Sequence, residues 1–259
     1  MLTRHKNTMR QSGQAMTEFI IIVFVLLLLT LGLVQMIFIY QTKTNLNYAT
    51  YEATRAGTLA NASPDSIKSG FARGMAPSFI RISGSPNESS TDQITRSQNL
   101  ANAYLQAYDE IDDFTLIERI SPAIELFNQG SGWGKSIPQW EIEQKDLQGK
   151  ATLYIPNEHL LYKSTSAKQS GVTIHDANLL KLRITYCMEL IVPFANIVFE
   201  NAFRLIYTNS NSVFIQDQQR ERDNVDRFSD DCINGDDRRI PLVNQSIMRM
   251  QSPARNYTF

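Results

Sequence analysis

Apolar residues are concentrated near the start of the chain and become patterned rather than continuous further on. From Phe19 to Tyr40 no residue carries a formal charge, and only Thr30, Gly32 and Gln35 interrupt the apolar run. As a helix this stretch would be about 33 Å long at ~1.5 Å per residue. A bilayer core of roughly 30 Å is matched by that length, so the pattern predicts a membrane span over about 19–40. A cleaved secretory signal is the rival, but its apolar core runs for about 7–15 residues and ends at a small-x-small site. Here Gln35-Met36-Ile37-Phe38-Ile39-Tyr40 carries straight on in helix-compatible sequence, and the helix is read as retained.

The helix is expected to continue past Tyr40, because 41–62 contains no proline and Ala49, Ala53, Ala56, Gly57 and Ala60 recur at three- and four-residue spacing. Small residues on one stripe let another element approach closely. That surface suits a bundle of neighbouring helices and equally suits the chain's own sheet. Ser63-Pro64-Asp65 places a serine ahead of proline at a first helical position and predicts a short helix through Met75. The Gly, Pro, Asn and Ser content of 81–95 predicts an exposed loop. Helical spacing of Leu100, Tyr104, Ala107, Ile111, Phe114 and Ile117 predicts a second helix over 98–127, with Pro122 as a break.

The distal half reads differently. Residues 151–155 and 182–192 are rich in β-branched and aromatic side chains and partly alternate with polar ones, predicting strands with one solvated face, the longer ended by Pro193. Residues 194–207 predict an amphipathic helix punctuated by Glu200 and Arg204, too short to cross a bilayer. Strands through 213–215 and over 240–250 complete a small antiparallel sheet. The fold class is therefore α+β. A leader over 1–13 precedes the long helix over 14–62, and a head domain occupies 63–259.

Charge adds orientation rather than a ligand. Lys and Arg total 25 against 26 Asp and Glu, a net charge of −1. A nucleic-acid partner would need a concentrated basic face, which this balance does not provide. Arg4, Lys6 and Arg10 precede the apolar run and Lys43 follows it, so the positive-inside rule leaves the N-terminus in the cytoplasm and exports the rest. Both cysteines, Cys187 and Cys232, fall in the exported part, where an oxidising compartment allows a disulfide and two separate thiols are the alternative. Glu18 stands at the edge of the apolar run, where a carboxylate is costly unless it is interfacial or paired.

Catalytic chemistry finds little support. Gly130-Ser131-Gly132-Trp133-Gly134-Lys135-Ser136 ends like a phosphate-binding loop, but the position five before Gly134 is Gln129, and Ile137-Pro138 follows where a helix should open. The acidic stretch over 223–237 lacks the alternating ligands and closing glutamate of a calcium loop, and the arginines beside it favour a salt-bridged loop. His5 lies in the leader. Glu158-His159 lacks the second histidine of a zinc-protease helix, and His175-Asp176 are adjacent without a nucleophile elbow elsewhere. The expectation is a protein without catalytic residues, cofactor or metal.

Gly13, then four residues, then Glu18 and Phe19 at the mouth of a long apolar helix resembles the processing site of type IV prepilins. The resemblance implies cleavage after Gly13 by a prepilin peptidase, with Gln14 as the new terminus and Glu18 as the fifth residue of the mature chain. A glycine at the cleaved bond leaves the backbone unobstructed. A carboxylate from Glu18 could then neutralise the terminal ammonium of a neighbouring subunit, an interaction far stronger in low dielectric than in water. Asn47-Tyr48-Ala49-Thr50-Tyr51-Glu52-Ala53-Thr54-Arg55-Ala56-Gly57 resembles the helix after the membrane segment in TadE-like proteins of the tight-adherence pilus system. The likeness resumes at 176–186, at Val192-Pro193-Phe194, at Ile240-Pro241-Leu242 and at 249–253. It implies a minor pilin or pseudopilin of the bacterial inner membrane, single-pass, with a periplasmic head and a place in the pilus after processing. Assembly would rest on Glu18 and the helix from Phe19, and the implied partners are the prepilin peptidase, major and minor pilins, the inner-membrane assembly platform and the lipid bilayer. The other reading is an uncleaved, membrane-anchored periplasmic binding domain.

Overall fold

The computed structural model describes residues 14–79, 91–147, 149–209, 232 and 238–258. The chain opens with one long helix, α1 (Gln14–Leu59). Its two halves have opposite surroundings: side chains from Phe19 to Leu29 are exposed, whereas Leu46, Ala49 and Ala53 are fully buried. Thr50, Thr54 and Thr58 enter the core on the buried side and donate their hydroxyls back to the carbonyls of Leu46, Thr50 and Arg55. No donor is left unpaired by their burial. The helix closes with the Ala62 N–H on the Gly57 carbonyl at 2.8 Å, and Asn61 takes the left-handed conformation (φ 59°) that asparagine tolerates.

Next comes α2 (Pro64–Met75), which starts and stops where the sequence pattern places it. Ser63 is extended ahead of Pro64, but its side chain makes no capping bond. Its carbonyl accepts from the Ile67 N–H instead. Gly70 and Gly74 face the small stripe of α1: a Cβ at Gly74 would lie 2.4 Å from the Ala49 Cα, and one at Gly70 would lie 2.8 Å from both the Ala56 Cβ and the Glu52 carbonyl. Around Gly57 the gap is closed by Ile67 and Leu180. Of the two uses the stripe allowed, the observed one is internal: the chain's own head fills it.

The predicted helix over 98–127 is three elements, the last a 3-10 turn over Ile124–Phe127 beyond Pro122. A helix, α3 (Thr91–Phe114), is followed directly by a strand, β1 (Thr115–Ser121). Ala103, Ala107 and Ile111 form the buried stripe of α3 while Leu100 stays exposed. Ile117, which fits the helical spacing, instead pairs with Ile184. Cross-strand pairing over Thr115-Leu116-Ile117 outweighs a helical pattern that no cap or glycine terminates. The helix also begins at Thr91, inside the predicted loop, whose remaining residues 81–90 lie outside those described.

After β1 the elements are short: β2 (Lys135–Ser136), α4 (Gln139–Gln144), β3 (Leu153–Ile155), β4 (Lys168–Gln169), β5 (Val172–Thr173) and α5 (Ile174–Ala177). Then come β6 (Leu179–Glu189), α6 (Ala195–Asn209), β7 (Arg239–Arg249) and β8 (Ala254–Arg255). Long strands β6 and β7 pair antiparallel over their whole length, with β1 on the other side of β6. This sheet backs onto α1. β6 alternates at first but is buried continuously from Ile184 to Met188, so its expected solvated face is lost there. It also ends before Pro193, with a last bond from the Leu190 N–H to the Arg238 carbonyl. The predicted single sheet is corrected in one more respect: 153–155 pairs with β2 and β8 in a separate small sheet, and β4 with β5 forms a hairpin. The expected strand at 213–215 and the acidic loop, Cys232 apart, lie outside the described residues.

The final segment fastens the far end of α1. Gln251 and Ser252 N–H groups donate to the Thr58 carbonyl, and Asn61 exchanges bonds with Ser252, Pro253 and Arg255. Arg255 in turn pairs with Glu141 of α4. Lys145 first and Arg255 after it hold the Glu141 carboxyl below the usual carboxylate range.

Candidate functional site: the exposed helix and the base of the head

Among the described residues one helix is long and apolar enough to cross a membrane. Gln14 opens α1; Glu18 follows one turn later and is exposed, and Phe19 is 65% exposed. Gly13 lies outside the described residues. Among the described residues none covers the rod from Phe19 to Leu29. A face this apolar and this open has to meet lipid or another chain, because contiguous apolar patches beyond a few hundred Å² are rare on soluble monomers.

The rod stops being free at Gln35. This residue is fully buried, and its Oε1 accepts a bond from the Val192 N–H at 2.9 Å, which joins the head to α1 within the charge-free run. Gln35 stood out in the sequence only as an interruption of that run; its polar side chain serves the segment between β6 and α6. Farther along, Lys43 donates to the Val243 carbonyl of β7, and burial pushes its ammonium below the usual lysine range.

A cavity of about 540 Å³ opens beside these contacts, between α1, α3 and the end of β6. Asp109, Glu110, Asp113 and Glu189 supply acids to its lining and Arg239 supplies the cation. The Arg239 guanidinium sits 3.0 Å from Glu110, donates to the Cys187 carbonyl at 3.1 Å, and lies over the Phe114 ring at 3.4 Å from its centroid. Burial, with Glu110 close by, pushes the Tyr186 hydroxyl far above its ordinary range. Arg239 pairs with Glu110 and so joins α3 to both long strands, while acids outnumber it in the lining.

Cys187, buried on β6, is joined to Cys232 with an S–S distance of 2.06 Å. The two are 45 residues apart in sequence, and closing such a loop restricts the unfolded chain by an amount worth about 4 kcal/mol in the chain-entropy description. Thiol labelling of the denatured chain should therefore find both cysteines blocked until reductant is added, and the reduced chain should unfold at distinctly lower denaturant. Two labelled thiols before reduction would contradict this.

The other sequence candidates separate. Gly132 and Gly134 serve packing: a Cβ at Gly134 would fall 1.6 Å from the Phe127 carbonyl oxygen, and Lys135-Ser136 is a strand rather than a helix start. His175 places a ring nitrogen 3.4 Å from the Lys163 carbonyl, and His159 contacts the Tyr162 ring. His5 lies outside the described residues. No group of three or more His, Cys, Asp or Glu side chains that could hold a metal occurs among the described residues.

With this geometry in view, the class is that of a protein built on a single membrane-capable N-terminal helix carrying an α+β head. The family model "TadE-like protein" matches residues 13–55, the exposed rod together with Ala49 and Ala53, the first two residues of the small stripe. That match takes in Gly13, Gln14, Glu18 and Phe19, ends within the 47–57 segment and covers none of the distal segments at 176–186, 192–194, 240–242 and 249–253. No curated protein and no solved structure matches the chain.

Proposed function

We propose that the protein is a minor pilin or pseudopilin that acts in assembly of a tight-adherence pilus and is processed by prepilin peptidase after Gly13. The observation that carries this reading is the TadE-like match over 13–55, which takes in the part of α1 that the described head residues leave uncovered and the start of the small stripe at Ala49 and Ala53. In this role the chain works by packing rather than catalysis. Apolar side chains gain little by leaving lipid for another helix, so close contact and charge pairing have to supply the specificity. Glu18, exposed at the head of the rod, would meet the ammonium of a neighbour's Gln14. Arg4, Lys6 and Arg10 support a cytoplasmic leader and a periplasmic head. The partners are then the prepilin peptidase, the major and minor pilins and the inner-membrane platform, in a bacterial inner membrane.

A second reading, an uncleaved membrane-anchored periplasmic binding domain, is favoured by the cavity around Arg239. Gly13 separates the two. Co-expression with a prepilin peptidase should shorten the chain by the leader, residues 1–13, and Gly13→Leu should abolish the shortening by blocking close approach to the bond. Equal mass of both proteins with and without the peptidase would leave the anchor reading standing.

A further inference from the structure

The base of the head carries a second apolar surface that the pilin reading does not use. Ile191, Phe194, Ile197, Val198 and Leu205 are 42–65% exposed, and they lie in the segment after β6 and along α6. Helical spacing puts Val198 and Leu205 on one flank of α6, while Glu200 and Arg204 pair on another at 3.0 Å and Phe199 and Phe203 pack on the core. The helix thus has an apolar flank facing neither its own core nor its ion pairs. Its height along α1 is set by the bond from Val192 to Gln35.

That height is the informative quantity. Glu18 and Gln35 are separated by about 26 Å of helix at ~1.5 Å per residue, and the hydrocarbon core is roughly 30 Å thick. With Glu18 at one edge of the core, the level of Gln35 lies about 5 Å inside the other edge, and an average tilt of about 20° moves it deeper. The exposed Met36, Ile37 and Phe38 of α1 continue the same belt. From this geometry we infer that the head is seated in the outer membrane–water interface, with the apolar flank of α6 and Phe194 immersed among the lipids beside the span. Interfacial amphipathic helices bury their apolar faces about 5–10 Å deep, and the level of Gln35 falls about 5 Å inside the core edge by the length of α1. The inference rests on α1 as a membrane span but not on cleavage. The seat fixes the head's orientation on the bilayer before any assembly partner arrives.

The test uses the full chain reconstituted in phosphatidylcholine vesicles containing brominated lipid, with one tryptophan added at a time and the emission of the unsubstituted chain, from Trp133 and Trp140, subtracted. Leu26→Trp reports the span, Val198→Trp reports the seat, and Leu161→Trp reports a head residue that is 89% exposed. The expected result is strong quenching at 26, quenching at 198 of at least about half that size given the 5–10 Å depth, and none at 161. Quenching at 26 with none at 198 overturns the seat, whether position 198 is then open to a soluble quencher or shielded by a second copy. Absence of quenching at 26 removes the span itself and the seat with it.

Discussion

On the proposed pilin reading, Glu18→Gln should leave the chain inserted and processed but lower its recovery with cross-linked pilus assemblies by roughly two to three and a half orders of magnitude. The size follows from the environment. Removing one partner of a desolvated ion pair costs about 3–5 kcal/mol because the other charge stays buried and unpaired, and each ~1.4 kcal/mol is a factor of ten. Glutamine keeps the shape of the side chain and one acceptor oxygen for the ammonium, so the loss reports chiefly the charge. Glu18 is exposed in the single chain and has no role in holding the head, so stability of the extracted protein should not change. If Glu18 were only an interfacial anchor, the glutamine variant would assemble at the normal level, and that outcome would remove the pairing from the account.

Gly74→Leu should prevent α2 from docking on α1 and leave the head unable to close. Even the smallest change is informative here. In an open helical position glycine to alanine gains about 1 kcal/mol of helix propensity. At Gly74 the added Cβ would meet the Ala49 Cα at 2.4 Å, a backbone atom that cannot swing aside, and overpacking of this kind costs about 1–3 kcal/mol. Gly74→Ala should therefore lower the melting temperature of the full chain in detergent, by about 2–4 °C for each kcal/mol lost at this size. Gly32→Ala is the matched control, since nothing lies within 4 Å of its Cβ, and it should be neutral or slightly stabilising. Equal behaviour of the two alanine variants would mean that the α1–α2 approach is looser than described.

The parts of this molecule legible in its sequence are those governed by local pattern. The length of the apolar run, the proline-free extension past Tyr40 and the serine–proline start of α2 all follow from single-element rules; α2 has the bounds those rules give, and α1 ends at Leu59, three residues short of the expected 62. The strand at 115–121 was illegible because its side chains continue the helical spacing of α3; only pairing with 181–186 makes it a strand. The use of the small stripe was equally open, since a stripe records that something approaches closely and not what approaches. Gly70 and Gly74, one turn apart, were the available signal, and they gain meaning only beside Ala49 and Ala56. Gln35 and Arg239 belong to the same class. A glutamine in an apolar run and an arginine beside an acidic stretch look like surface residues until the Val192 backbone and the Phe114 ring are brought to them.

The central claim is that a carboxylate and a newly made chain end meet at the edge of the apolar rod, and it requires the chain to begin at Gln14 when it works. N-terminal sequencing of the protein extracted from the native envelope of piliated cells tests this directly. The expected terminus is Gln14-Ala15-Met16-Thr17-Glu18. A protein that still carries its residues from Met1 to Gly13 while pili are assembled normally would contradict it.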